Sequence, residues 1–387
     1  MKKISFYAVL AVATLASVSC SSDDVLVQSP SVNQPIEFGA YTGRSAALAP
    51  TRAHSVETLD TLALDGGFGV FAYYTNDVDY SQDATPNFMY NQQVTSDDNG
   101  VNWGYSPLKY WPNEEADKVT FFAYAPYADH KNTDDNFEFS TNEANGDPII
   151  TFTVNDEVQK QQDLLYGVRE SDGHPYLNMD KMKVSDQLTF HFRHALSRIG
   201  FKVQAMIDHV NSDQTGAADK ATDNSENIDD ATTISVQKVE LIGNFYTTRK
   251  LNLNNGYANN PNWGEFTTNS GGRIFVLDSD DFTEIANSVN TTKKQLNTGN
   301  AWVMVIPQQL DAQIRVTYTV TTTDNNLSAS SVVENVITSE PFNFNFEHGK
   351  SYMFNLHLGL TSVKFDASVE KWEDAGETTV NVPINFN

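Results

Sequence analysis

The segment QLTFHFRHALSRIGFKVQA (187–205) decides how the chain folds. Leu188, Phe190, Phe192 and His194 fall on every second position, and Ile199, Phe201 and Val203 repeat the spacing after a break. Strand side chains alternate between faces, so these runs predict two strands, each with one apolar row. The same texture spreads outward in both directions. Before it stand GGFGVFAYYT (66–75), NFMYNQQVT (87–95), VNWGYSPLKYWP (101–112), PIITFTV (148–154) and DLLYGVR (163–169). KVTFFAYAPY (118–127) is apolar on both faces, as a central strand covered on two sides would be. After it come ISVQKVELIG (234–243), FYTTRKLNL (245–253), RIFVL (273–277), AWVMVIPQ (301–308), QIRVTYTVTT (313–322), GKSYMFNLHLGL (349–360) and TSVKFDASVEKW (361–372). Short β-rich runs broken by Gly, Asn, Asp and Pro predict an all-β sandwich class. Residues 130–147 read as a polar connection and 208–233 as a long mobile loop. The domain break is expected in ESDGHPYLNMDKMKVSD (170–186), dividing 56–180 from 181–387.

The tail TTVNVPINFN (378–387) has the clearest alternation. Val380, Val382, Ile384 and Phe386 form one row; Asn381, Pro383, Asn385 and Asn387 form the other. Burying the first row would contribute roughly 1.5–3 kcal/mol per side chain, about 6–12 in all. Pro383 cannot donate to a ladder, which suits an edge or added strand. Near the other end, PIEFGAY (35–41) carries Ile36, Phe38 and Ala40 at the same spacing. TGRSAALAPTRAH (42–54) follows, with Arg44 and Arg52. A strand that can be cut loose and a terminal strand that can replace it would make a polymer joint. On pattern alone, the plainer reading is that Val380–Phe386 closes its own sheet.

Composition narrows the partners. With 387 residues and 40% hydrophobic content, the chain can bury ordinary cores. Its formal net charge of −25 repels nucleic acid and anionic headgroups, so neither is an expected partner. The single cysteine, Cys20, follows Lys2, Lys3 and an apolar run from Ile4 to Ala16 that is too short to span a bilayer. Residues 1–19 therefore read as a signal peptide, with Cys20 as the lipid-bearing residue of a bacterial lipobox. Ser17 departs from the Leu usual in that motif. Cleavage of 19 of the 387 residues leaves 368 without a second thiol, so no intrachain disulfide forms. Acyl chains such as palmitate on Cys20 would tether the protein to the outer membrane. The leader is then 20–55, with one removable strand.

Catalytic and metal signatures are weak. His191 and His194, three apart on a strand, point to opposite faces, with one packed and one exposed. Asp77, Asp79, Ser81 and Asp83 resemble the start of a calcium loop, yet Gln82 and Phe88 stand where Gly and Glu are needed. Asp223, Glu226, Asp229 and Asp230 read as a solvated acidic loop. Trp103, Tyr105, Tyr110 and Trp111 suit a structural core better than a sugar platform. No nucleophile elbow, zinc-protease or phosphate-loop signature occurs, so neither an enzyme nor a cofactor or metal site is expected.

The ordered landmarks resemble the fimbrillins, the type V pilins of Bacteroidetes. They are the Cys20 lipobox with Ser21–Asp24 after it, and the leader from Ile36 to Arg44. Then come YWP (110–112), VTFFAYAP (119–126), DLLYG (163–167), FHFRHALSRIGFKV (190–203), VIPQ (305–308), GKSYMFNL (349–356) and VEKW (369–372). The resemblance implies two transthyretin-like β-sandwich domains in tandem and export as a surface lipoprotein. It also implies a cut at Arg44 or Arg52, loss of the Ile36–Ala40 strand, and its replacement by Val380–Phe386 of a neighbour. The expected role is a non-enzymatic fimbrial shaft subunit supporting adhesion, with itself, related subunits, the maturation protease and a host or bacterial surface receptor as partners. The alternatives are a tip or anchor subunit, a non-polymerising lipoprotein that binds glycan, and, last, a β-sandwich glycoside hydrolase.

Overall fold

The computed structural model describes residues 33–43, 58–129, 136–182, 186–206, 232–255, 258–268, 272–298, 301–324, 329–360, 362–372 and 382–383. Within them the chain is almost entirely β, as the alternation requires. Among the described residues one α-helix, Leu59–Leu64, is set by the Thr58 capping box and buries Leu62.

Four sheets account for the strands. The first runs in the order Phe38–Tyr41, Leu188–His194, Leu165–Val168, Val119–Ala125, Phe68–Tyr74, Met89–Val94, with Tyr176–Met179 also on the central strand. The second contains Ser197–Ala205 beside Lys350–Leu358, then Val363–Lys371 and Val382–Pro383. The third is built on Thr232–Gly243 and the long Gln308–Asp324, with Ala329–Thr338 at its edge. The fourth joins Phe137–Phe139, Ile149–Thr153, Thr248–Asn252 and Asn262–Thr268.

The first sheet is covered on both faces, which explains why Val119–Ala125 reads apolar throughout. Phe71, Tyr73, Phe122 and Tyr124 enter a large core that continues through the later strands to Trp372. Their neighbours Val70, Ala72, Phe121 and Ala123 enter a separate core with Ile36, Phe38, Phe68, Phe190 and Phe192. Alternation thus deals successive residues of one strand into two cores.

Three expectations change. The polar connection at 130–147 contains a strand, Phe137–Phe139, paired to Ile150–Phe152. Residues 101–112 form no extended strand; they contribute only the bridges Thr95–Gly104 and Pro35–Tyr110. The sheets do not divide at 170–186: Leu188–His194 pairs with Leu165–Val168 in the first sheet, and Ile149–Thr153 pairs with Thr248–Asn252. Within the described part of this polar stretch, Tyr176–Met179 returns to the central strand. Residues 207–231, most of the expected long loop, lie outside the described residues.

Candidate assembly site: the leader strand and its seat

The leader strand Phe38–Tyr41 is the edge of the first sheet and, among the described residues, its only parallel member. It lies along the seat strand Leu188–His194, in register Phe38 to Leu188, Gly39 to Thr189, Ala40 to Phe190 and Tyr41 to His191. The Leu188 N–H donates to the Glu37 carbonyl at 2.9 Å. On the opposite side the leader meets residues 109–111. Ile36 N–H donates to the Lys109 carbonyl and Trp111 N–H to the Gln34 carbonyl, both at 2.9 Å. Pro35 faces Tyr110 in an antiparallel bridge whose hydrogen bonds come from the flanking residues, so the missing proline N–H is not called upon.

Side chains fix the segment from beneath. Ile36 and Phe38 are fully buried and Ala40 is half-buried. The Phe38 ring lies 5.2 Å from Tyr105, 5.9 Å from Phe121, 6.0 Å from Phe190 and 6.5 Å from Phe68, between centroids. Burying Ile36 and Phe38 contributes roughly 1.5–3 kcal/mol each. The Tyr105 hydroxyl donates to the Ile36 carbonyl at 2.9 Å, and burial pushes that phenol up to about 12.

Three of the four aromatics weighed as a sugar platform form or back this wall. Trp103 packs on Phe68 at 5.1 Å, Tyr105 on Phe38, and Trp111 on Phe121 at 5.7 Å, while Tyr110 remains exposed. Periodicity missed this wall because residues 103–111 hold the leader through single bridges and a side-chain hydroxyl. A dense aromatic run beside a proline was the available signal.

At the other end, Tyr41 lies 4.7 Å from the His191 ring; His191 and His194 are both buried, where one of the pair was expected to be exposed. His191 Nε2 lies 3.8 Å from the Glu170 carboxylate, and its Nδ1 has no hydrogen-bond partner among the described residues. Burial holds the imidazole below its ordinary value; Glu170 opposes that shift and Arg193 adds to it. His194 sits in different surroundings. Its Nδ1 is 2.9 Å from the buried Asp163 carboxylate, and its ring stacks on Trp372 at 3.7 Å. Arg198 lies between Trp372 and Trp302, 4.8 and 4.2 Å from the rings. This second cluster was not foreseen; the acidic residue opening DLLYG was its one trace in the sequence.

Among the described residues no group of His, Cys, Asp or Glu is arranged to hold a metal ion. Asp79 is taken up by Lys118 at 2.6 Å. In the tail, Val382–Pro383 pairs with Ala367 and Asp366 of the second sheet. Cys20, Arg44, Arg52, Val380, Ile384, Phe386 and the acidic run Asp223–Asp230 lie outside the described residues.

Comparison with known proteins agrees with this architecture. A family model described as fimbrillin-like matches residues 51–372. The fimbrium subunit Fim1C of Phocaeicola vulgatus is 26% identical, over 96% of this chain and 98% of its own. The crystal structure of a fimbrial protein from Bacteroides vulgatus has the same fold, with a TM-score of 0.63 at 22% identity, over 88% of this chain and all of that one. With most of its length matched, the chain belongs to the fimbrillin-like family of fimbrial proteins.

Proposed function

We propose that the chain is a shaft subunit of an adhesive fimbrium on the cell surface, assembled by exchange of one β-strand between copies. In this reading the precursor is tethered to the outer membrane through lipid on Cys20, and a trypsin-like protease cuts after Arg44 or Arg52. The leader strand then leaves, and Val380, Val382, Ile384 and Phe386 of a neighbouring copy or related subunit fill its place.

One observation carries the reading. The leader is a parallel edge strand whose Ile36 and Phe38 close an apolar core, while Arg44 and Arg52 follow within the next residues. Before a cut, the connecting chain keeps the leader at a high effective concentration beside its seat. After a cut that advantage is gone, and the leader competes with any strand of similar shape. An empty seat would expose Phe68, Phe121 and Phe190 beside an unpaired strand edge, a state strongly driven to take a partner. A head-to-tail joint of this kind does not close on itself, so it gives a filament.

The test is deletion of residues 378–387 in cells that make the fibre, followed by electron microscopy. Loss of fibres with normal surface export is the expected result. Normal fibres from the deletion would leave the chain as a lipid-tethered surface protein that does not polymerise through its tail.

A further inference from the structure

Two segments at opposite ends of the chain carry nearly the same seven residues, VNQPIEF at 32–38 and VNVPINF at 380–386. Five of the seven positions are identical: Val32 and Val380, Asn33 and Asn381, Pro35 and Pro383, Ile36 and Ile384, Phe38 and Phe386. Several of the identities fall on what the seat reads. Ile36 and Phe38 are the buried anchors, and Pro35 occupies the bridge to Tyr110. One difference, Glu37 against Asn385, falls on an exposed position. The other exchanges the buried Gln34 for Val382, at a residue whose backbone carbonyl receives the Trp111 N–H whatever its side chain.

We propose that residues 380–386 of a second copy enter the seat in the same direction and register as the leader. The tail is then a copy of the leader, and more than an apolar strand of suitable length. Pro383 lies opposite Tyr110, Ile384 takes the Ile36 site, and Phe386 fits among Phe68, Tyr105, Phe121 and Phe190. Ile384 N–H donates to the Lys109 carbonyl, and the Asn385 carbonyl accepts from Leu188 N–H. This rests on the strand-exchange reading and adds to it a direction, a register and a preferred occupant.

Alternation alone would not choose. A period of two lets an apolar strand lie in a groove either way round, and a slip by one residue turns Asn385 into the Phe38 pocket. Only the parallel direction keeps Pro, Ile and Phe in their order along the seat, with proline where no N–H is used. Asn385 in place of Glu37 also brings one negative charge fewer to an acceptor whose net charge is −25.

A disulfide trap tests the register. Gly39 is paired with Thr189, and a Cβ built on Gly39 would lie 2.9 Å from Thr189 Oγ1. In the proposed register Asn387 takes the place of Gly39. Fibres from a full chain carrying Thr189→Cys and Asn387→Cys should therefore run as a covalent ladder without reductant and as monomer with it, since facing cysteines this close meet disulfide geometry. Fibres carrying Thr189→Cys with Asn381→Cys should stay monomeric, as should Thr189→Cys alone. A ladder from the Asn381 pair, or intact fibres without linkage at 387, would overturn the register while leaving strand exchange standing. Fibres that persist after deletion of 378–387 would overturn both.

Discussion

At the scale of single residues, Phe38 is the anchor of the leader, held by four rings. Phe38→Ala in the uncut chain should cost about 3–5 kcal/mol in denaturant unfolding, the range for emptying a buried phenylalanine site. A smaller loss, with faster proteolysis near Arg44, would mean that the leader unseats locally before the rest unfolds. Tyr105→Phe removes one donor to the Ile36 carbonyl, so it should weaken the seated leader by about 0.5–1.5 kcal/mol, read as faster amide exchange at Ile36. His191 adds a pH dependence with a definite sign. The seated imidazole is held below its ordinary value of 6.5, so the unseated state takes up a proton first as pH falls. Stability of the seated leader is therefore full above that value and is lost as pH falls through the window beneath it. Arg193 works with this effect and Glu170 against it. After cutting, leader release should be faster at pH 5 than at pH 7.5, and His191→Gln should flatten the difference.

At the scale of elements, much was legible because a period of two survives in sequence. Leu188, Phe190 and Phe192 announced the seat strand, and all three line the core that Phe38 closes. Its partner was not legible. Alternation says which face is buried but not which strand lies alongside, so the parallel pairing of 38–41 with 188–191 emerges only in the fold. The wall at 103–111 was hidden for a related reason, since its backbone touches the leader at isolated points. Phe137–Phe139 was lost because three residues hold too little alternation to stand out from polar flanks. The tail is the converse case: its pattern is plain, while its described contact is limited to Val382–Pro383 against Ala367 and Asp366. If it is a copy of the leader, rewriting it as the leader by Val382→Gln with Asn385→Glu should preserve fibres. Exchanging its anchors by Ile384→Phe with Phe386→Ile keeps the alternation and should abolish them.

At the scale of the whole molecule, an acidic surface governs how copies meet. Each carries a formal charge of −25, so encounters between subunits are opposed at low ionic strength. Raising salt from about 10 mM to about 150 mM shortens the screening length from about 30 to about 8 Å, so assembly should speed up, as followed by light scattering. A joint dominated by apolar anchors should then hold its length at the higher salt. The most direct measurement is the N-terminal sequence of the subunit in isolated fibres. The account predicts a start at Ser45 or Ala53, with residues 36–40 absent from the fibre. Subunits that still carry Ile36, Phe38 and Ala40 would contradict it.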